Sequence, residues 1–143
     1  MNAFLSSHEK FRVLTKNDLK LSIICADDYY CNIEALRLVF RKLDLEAFCL
    51  FFDNGHSVID YCKKNVQNQL QQQRGERKEV TIMILDHEMP RVSGLETIKE
   101  VRSLYNVSNF MIQSQQRIEG VATDEKLLMP KFAMFSAHVK KGF

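Results

Sequence analysis

Three short apolar runs, each closed by an acid or a hydroxyl, constrain this chain more than any other feature. Leu21 to Ala26 (LSIICA) runs into Asp27-Asp28, Val80 to Leu85 (VTIMIL) into Asp86, and Phe132 to Phe135 (FAMF) into Ser136. Runs this short, apolar at nearly every position, predict strands buried on both faces, the condition of a parallel sheet. Ala47 to Phe52 (AFCLFF) predicts another such strand, followed by the turn signal Asp53-Asn54-Gly55.

Helical spacing fills the intervals. Asn32 to Leu43 predicts a helix with Ile33, Leu36, Val39, Phe40 and Leu43 on its apolar face. A second starts near His56, with Val58, Ile59, Cys62 and Val66 as its stripe. Leu95, Ile98, Val101 and Tyr105 mark a third. The polar stretch Gln67 to Glu79 extends the second helix or forms a loop, solvated in either case. Asn106 to Met129, polar and without clear period, is expected to be a long loop. Alternation of strands and helices predicts an α/β fold with a parallel sheet. In such sheets, sites form outside the carboxyl ends of the strands. Asp27, Asp28, Asp86 and Ser136, distant in sequence, are therefore expected to meet at one edge.

Composition narrows the classes. At 143 residues the chain has the length of one domain, and 45% hydrophobic against 27% charged residues is an ordinary globular mix. Twenty basic residues against 18 acidic, scattered rather than clustered, call for neither nucleic acid nor an anionic membrane. No apolar run approaches the ~20 residues of a membrane span, and Met1 to Lys10 lacks the apolar stretch of a secretion signal. The expected location is the cytoplasm or nucleus, or the cytoplasmic part of a larger membrane protein. Cys25, Cys31, Cys49 and Cys62 show no C-x-x-C spacing and read as buried, reduced thiols.

Three carboxylates packed together repel, and without a counter-charge one of them tends to hold its proton. A hard divalent cation with oxygen ligands, Mg²⁺ above all, resolves the conflict. The metal can offset the charge of an incoming phosphoryl group, and one carboxylate can then act as nucleophile and form an acyl phosphate. Aspartates at strand-to-helix turns also cap helices. Three at one edge exceed what capping requires.

The segments 21–43 and 83–102 resemble receiver domains of response regulators and hybrid histidine kinases. The resemblance is carried by Asp27-Asp28 with Asn32 after them, by Asn54-Gly55, by Asp86-His87-Glu88-Met89-Pro90-Arg91-Val92-Ser93-Gly94, and by Ser136-Ala137. It covers roughly residues 20–143 and leaves 1–19 as a tail or linker. It implies a flavodoxin-like, doubly wound parallel sheet. It also implies that Asp86 accepts a phosphoryl group from a histidine kinase or a histidine phosphotransfer protein. Asp28, Asp86 and the backbone carbonyl of Glu88 would bind Mg²⁺, with Asp27 assisting through water and Ser136 donating its hydroxyl to the phosphoryl group. The family's fifth strand ends in a lysine that pairs with that group, and a last helix follows. Only seven residues follow Ser136, so the expectation is a four-stranded, incomplete version, a piece of a longer protein.

Two other functions fit parts of the pattern. A receiver-like interaction module that never takes phosphate would need no lysine. A phosphatase of the haloacid dehalogenase type also uses a nucleophilic Asp after a strand. It has a second Asp two residues on, where this chain has Glu88, and its further motifs lie downstream rather than upstream. Phe4 to Glu9 faintly resembles a kinase's phosphorylated-histidine segment but lacks the rest of that motif. His87 and His138 have no partner histidine at ligand spacing and read as surface residues.

Overall fold

The computed structural model describes residues 19–71, 78–120 and 126–136. Four strands form one parallel sheet: β1 (Leu19–Ala26), β2 (Cys49–Phe52), β3 (Lys78–Asp86) and β4 (Lys131–Phe135), in the order β2-β1-β3-β4. Helices α1 (Tyr30–Lys42), α2 (Gly55–Gln71) and α3 (Gly94–Glu119) connect them. This is the α/β sheet expected from the alternation.

Strand parity divides the core into two layers. Ile24 and Ala26 of β1 and Met83 and Leu85 of β3 pack with Val58, Ile59, Cys62 and Val66 of α2 and Ile98, Val101 and Tyr105 of α3. Ile23 and Cys25, on the opposite face, pack with Phe40 of α1 and Leu45. β1 and β3 are thus apolar on both faces, which is why their sequences show no alternation. At about 1.5–3 kcal/mol for each large side chain buried, these central strands hold the sheet together.

The expected stripe of α2 is buried in full; that of α1 is not. Ile33 and Phe40 are buried, but Val39 is 51% exposed and Leu43 47%. Several boundaries also move. β1 starts two residues early, at Leu19, because Leu19 and Lys20 pair with Lys78 and Glu79 of an equally extended β3. α1 begins at Tyr30, and Glu46–Phe48 is a 3-10 turn ahead of β2. α2 runs into the glutamine-rich stretch as far as Gln71. The tail 1–18, with the Phe4 to Glu9 segment, and His138 lie outside the described residues.

The long loop expected over 106–129 is overturned as far as Glu119; residues 126–129 have no regular structure. α3 continues for 26 residues to Glu119 and ends at Gly120, whose φ of 67° is the left-handed conformation of a helix C-cap. Its inward positions keep helical period throughout, at Thr97, Ile98, Val101, Tyr105, Ser108 and Gln116. Three of them are polar, and the two beyond Tyr105, Ser108 and Gln116, hid the period. Ser108 is satisfied by donating its hydroxyl to the Leu104 carbonyl at 2.8 Å. Asn109 holds the returning chain: its Oδ1 accepts from Leu127 N at 2.7 Å and its Nδ2 donates to Leu127 O at 3.1 Å. The chain then enters β4, where the Arg102 guanidinium lies 5.2 Å from the centre of the Phe132 ring.

At its other end α3 starts with a reciprocal cap. Glu96 N donates to Ser93 Oγ at 3.1 Å, and Ser93 N donates to Glu96 Oε2 at 2.9 Å. Ser93→Ala should therefore lower stability by ~1 kcal/mol. A urea titration should show the midpoint falling with an unchanged slope; an unchanged midpoint would mean that the cap contributes nothing.

Candidate functional site

The site is built where β1 and β3 end side by side. Ala26 is in register with Leu85, so Asp27 and Asp86 emerge next to each other. Carboxylate oxygens of Asp27, Asp28 and Asp86 all lie within 4.8 Å of one another. Asp27 and Asp86 are buried and Asp28 is exposed. Ser136 follows Phe135, the residue of β4 in register with Asp86, and stands at the same edge. The His87 N–H donates to Phe135 O at 2.7 Å and fastens the start of the β3–α3 loop to β4.

Burial and charge act together on Asp86. Loss of water pushes its carboxyl above the usual carboxylate range, and the Asp27 charge beside it pushes the same way. The backbone N–H of Glu88 opposes this by donating to the carboxylate. Asp28 adds to the rise, and the His87 N–H reduces it. Among the described residues no lysine or arginine forms an ion pair with any of the three aspartates. Asp27 is held differently: Oδ1 accepts from Tyr29 N at 2.8 Å, and Oδ2 accepts from Asn32 Nδ2 at 2.9 Å. Asp27 thus does close the β1–α1 turn, as a capping residue would. Asp28 and Asp86 add charge that no cap needs.

The loop after Asp86 is shaped by close backbone approach. Gly94 N donates to His87 O at 3.0 Å, and a Cβ at Gly94 would run into the Asp86 carbonyl oxygen. Arg91 sits at φ 67°, a left-handed conformation that disfavours most side chains by roughly 1–2 kcal/mol. Met89 folds back into the core. Glu88 and His87 expose their side chains, as the surface reading of His87 expected. The donors to Asp86 are backbone N–H groups, which no residue pattern displays. The Ser93–Glu96 cap carries the sequence pattern S-x-x-E, whereas nothing in the sequence marks the bond that Asn32 makes.

The cysteines take no part. Cys25 and Cys62 are buried, and burial pushes their thiols up to about 12. Burial likewise brings Cys49 to about 11. Such thiols are protonated near neutral pH and poor metal ligands. Cys31 alone is exposed, against the expectation for a buried thiol, because it sits on the outer side of the first turn of α1. No helix in the described residues is long and apolar enough to cross a membrane.

Two predictions follow from this geometry. Gly94→Ala should cost about 2–3 kcal/mol, because the obstacle is backbone that cannot swing aside; a loss below 0.5 kcal/mol in a denaturant titration, on the order of an ordinary surface change, would disprove the close approach. The second concerns pH. A carboxyl whose folded-state pKa is raised binds its proton more tightly folded than unfolded, so its contribution to stability declines as pH rises from the ordinary carboxylate value through the raised one. Without divalent metal, Asp86→Asn should raise the melting midpoint at pH 7 by roughly 2–4 °C. That gain should vanish as pH falls below the ordinary carboxylate range. A gain that persisted there would place its origin outside Asp86 ionisation.

The sequence matches no protein-family model and no curated protein. Solved structures do match. A response regulator receiver protein from Dyadobacter fermentans superimposes with a TM-score of 0.52 at 16% identity, over 84% of this chain and 71% of that one. The response regulator StyR gives a TM-score of 0.44 at 18% identity, over 87% of this chain and 44% of that one. At 16% identity the likeness to the Dyadobacter fermentans protein is one of architecture, and the order β2-β1-β3-β4 agrees with it. The chain therefore has the flavodoxin-like fold of a response regulator receiver domain.

Proposed function

We propose that this chain is a phosphoacceptor domain of a histidine-to-aspartate phosphorelay, with Asp86 as acceptor. The observation that carries the proposal is the meeting of three carboxylates, with no pairing cation among the described residues, at the carboxyl edge of a receiver fold. Repulsion within that cluster opposes folding. A chain that keeps it has a use for concentrated negative charge, and binding a hard cation is the plainest one. The donor set fits Mg²⁺: all oxygen, with one carboxylate open to solvent. Asp28 and Asp86 would hold the ion directly with the Glu88 backbone carbonyl, and Asp27 through water. When bound, the ion supplies positive charge against the phosphoryl oxygens.

In the transfer, a carboxylate oxygen of Asp86 bonds to phosphorus while the P–N bond of a phosphohistidine breaks. The bonding pair leaves with the imidazole nitrogen, which takes a proton from solvent. The partner is accordingly a histidine kinase or a histidine phosphotransfer protein. Ser136, at the end of β4, donates its hydroxyl to a phosphoryl oxygen. The chain acts as a signalling domain, in the cytoplasm or in the cytoplasmic part of a larger membrane kinase.

The test is direct. With Mg²⁺ and a small acyl phosphate, the intact mass should rise by one phosphoryl group. Peptide mapping should place it on Asp86, and chelation should abolish it. Label persisting in Asp86→Asn would sink the assignment. Mg²⁺ at about a hundred times its dissociation constant should stabilise the folded chain by roughly 2.7 kcal/mol, and Asp28→Ala should remove most of that. Equal stabilisation of wild type and Asp28→Ala would place the metal elsewhere.

A further inference from the structure

We propose that Asn32 is a positioning residue for the acidic site, acting through Asp27; this rests on the Mg²⁺ reading given above. Asn32 lies in the first turn of α1, five residues after Asp27, and its Nδ2 donates to Asp27 Oδ2 at 2.9 Å. The other oxygen of the same carboxylate accepts from Tyr29 N at 2.8 Å. Asp27 is therefore held at both oxygens, one by backbone and one by a single side chain. Asn32 is the only one of the two donors that substitution can remove.

The hold matters because of what surrounds it. Asp27 is 1% exposed, so water does little to steady its charge. Oxygens of Asp28 and Asp86 lie within 4.8 Å, and their repulsion favours turning the Asp27 carboxylate away. Two donors, one to each oxygen, oppose that rotation and keep Asp27 turned toward the other two acids before any cation arrives. A donor that keeps a ligand group from reorienting spares the metal that ordering on binding.

The α1 cap points the same way. Tyr29, the N-cap residue, makes no side-chain cap bond. The turn is closed instead through Asp27, with Asn32 N donating to Tyr29 O at 3.0 Å. Asparagine is a mediocre helix former, so propensity alone does not recommend it for the first turn of α1. Its side chain is spent on the site rather than on the helix.

The experiment is a double-mutant cycle read by calorimetric titration of Mg²⁺ into the whole chain. Thermal melts without metal check that each variant is folded. Asn32→Ala should weaken Mg²⁺ binding on the order of 10-fold. Asp27→Ala should weaken it as well. In the Asp27→Ala background, adding Asn32→Ala should change affinity by less than about two-fold, because the group through which Asn32 acts is gone. Asn32→Ala binding Mg²⁺ like wild type would overturn the inference and leave the metal site standing. An equal loss in both backgrounds would also overturn it, since Asn32 would then act on the helix and not through Asp27. Wild type binding no Mg²⁺ would overturn the metal reading and this inference together.

Discussion

Mutual repulsion among Asp27, Asp28 and Asp86 is the constraint around which the carboxyl edge of the sheet is organised. Three carboxylates with oxygens within 4.8 Å, two of them buried, are a liability to a metal-free fold. Among the described residues it is met with dipoles rather than charges. His87 N–H and Glu88 N–H face Asp86, and Tyr29 N–H and the Asn32 amide face Asp27. Amide donors relieve part of the repulsion and leave net negative charge available. A lysine or arginine paired into the cluster would relieve more and would compete with the cation proposed for the site.

The loop that presents Asp86 is rigid by the same logic. Gly94 lets the start of α3 close on the Asp86 carbonyl, Arg91 accepts a left-handed backbone, and the Ser93–Glu96 pair fixes where α3 begins. Met89 anchors the middle of the loop in the core. A left-handed arginine is tolerated because the loop is tied on both sides of it, at Met89 and at Gly94 N to His87 O. Asp86 is carried by a buried strand and a braced turn, which limits the number of ways its carboxylate can face a reactant.

Legibility in the sequence follows burial. β1 and β3 are buried on both faces, and their apolar runs announced the strands and the acids that end them. The stripe of α2 was equally plain, since every predicted position reached the core. α3 was readable only to Tyr105, because Ser108 and Gln116 fill inward positions with polar side chains while Val107, Phe110, Met111 and Ile118 stand in solvent. Polarity is reversed along those turns, so the sequence there carries no apolar helical stripe. The aspartates could be named as a group because topology brings the ends of adjacent strands together. Their supports could not: three of the four donors are backbone N–H groups, and the fourth, Asn32, looks like any polar residue in a helix.

The two halves of the proposed site have different foundations. Asp27, Asp28 and Asp86 rest on β1 and β3, the central pair of the described sheet, in register over eight residue pairs. Ser136 rests on β4, a shorter strand with five pairs to β3 and with Ala133 and Met134 exposed. What ties them is the His87 N–H to Phe135 O bond, continued by the Asn109 side chain on Leu127 and by Arg102 over Phe132. Of the two strands, β4 has the fewer buried contacts, so local opening there requires less free energy than opening between β1 and β3. The acidic cluster can therefore persist while the hydroxyl end fluctuates. Under the proposed function, cation binding would depend on the part of the sheet that opens last, and contact with a phosphoryl group on the part that opens first.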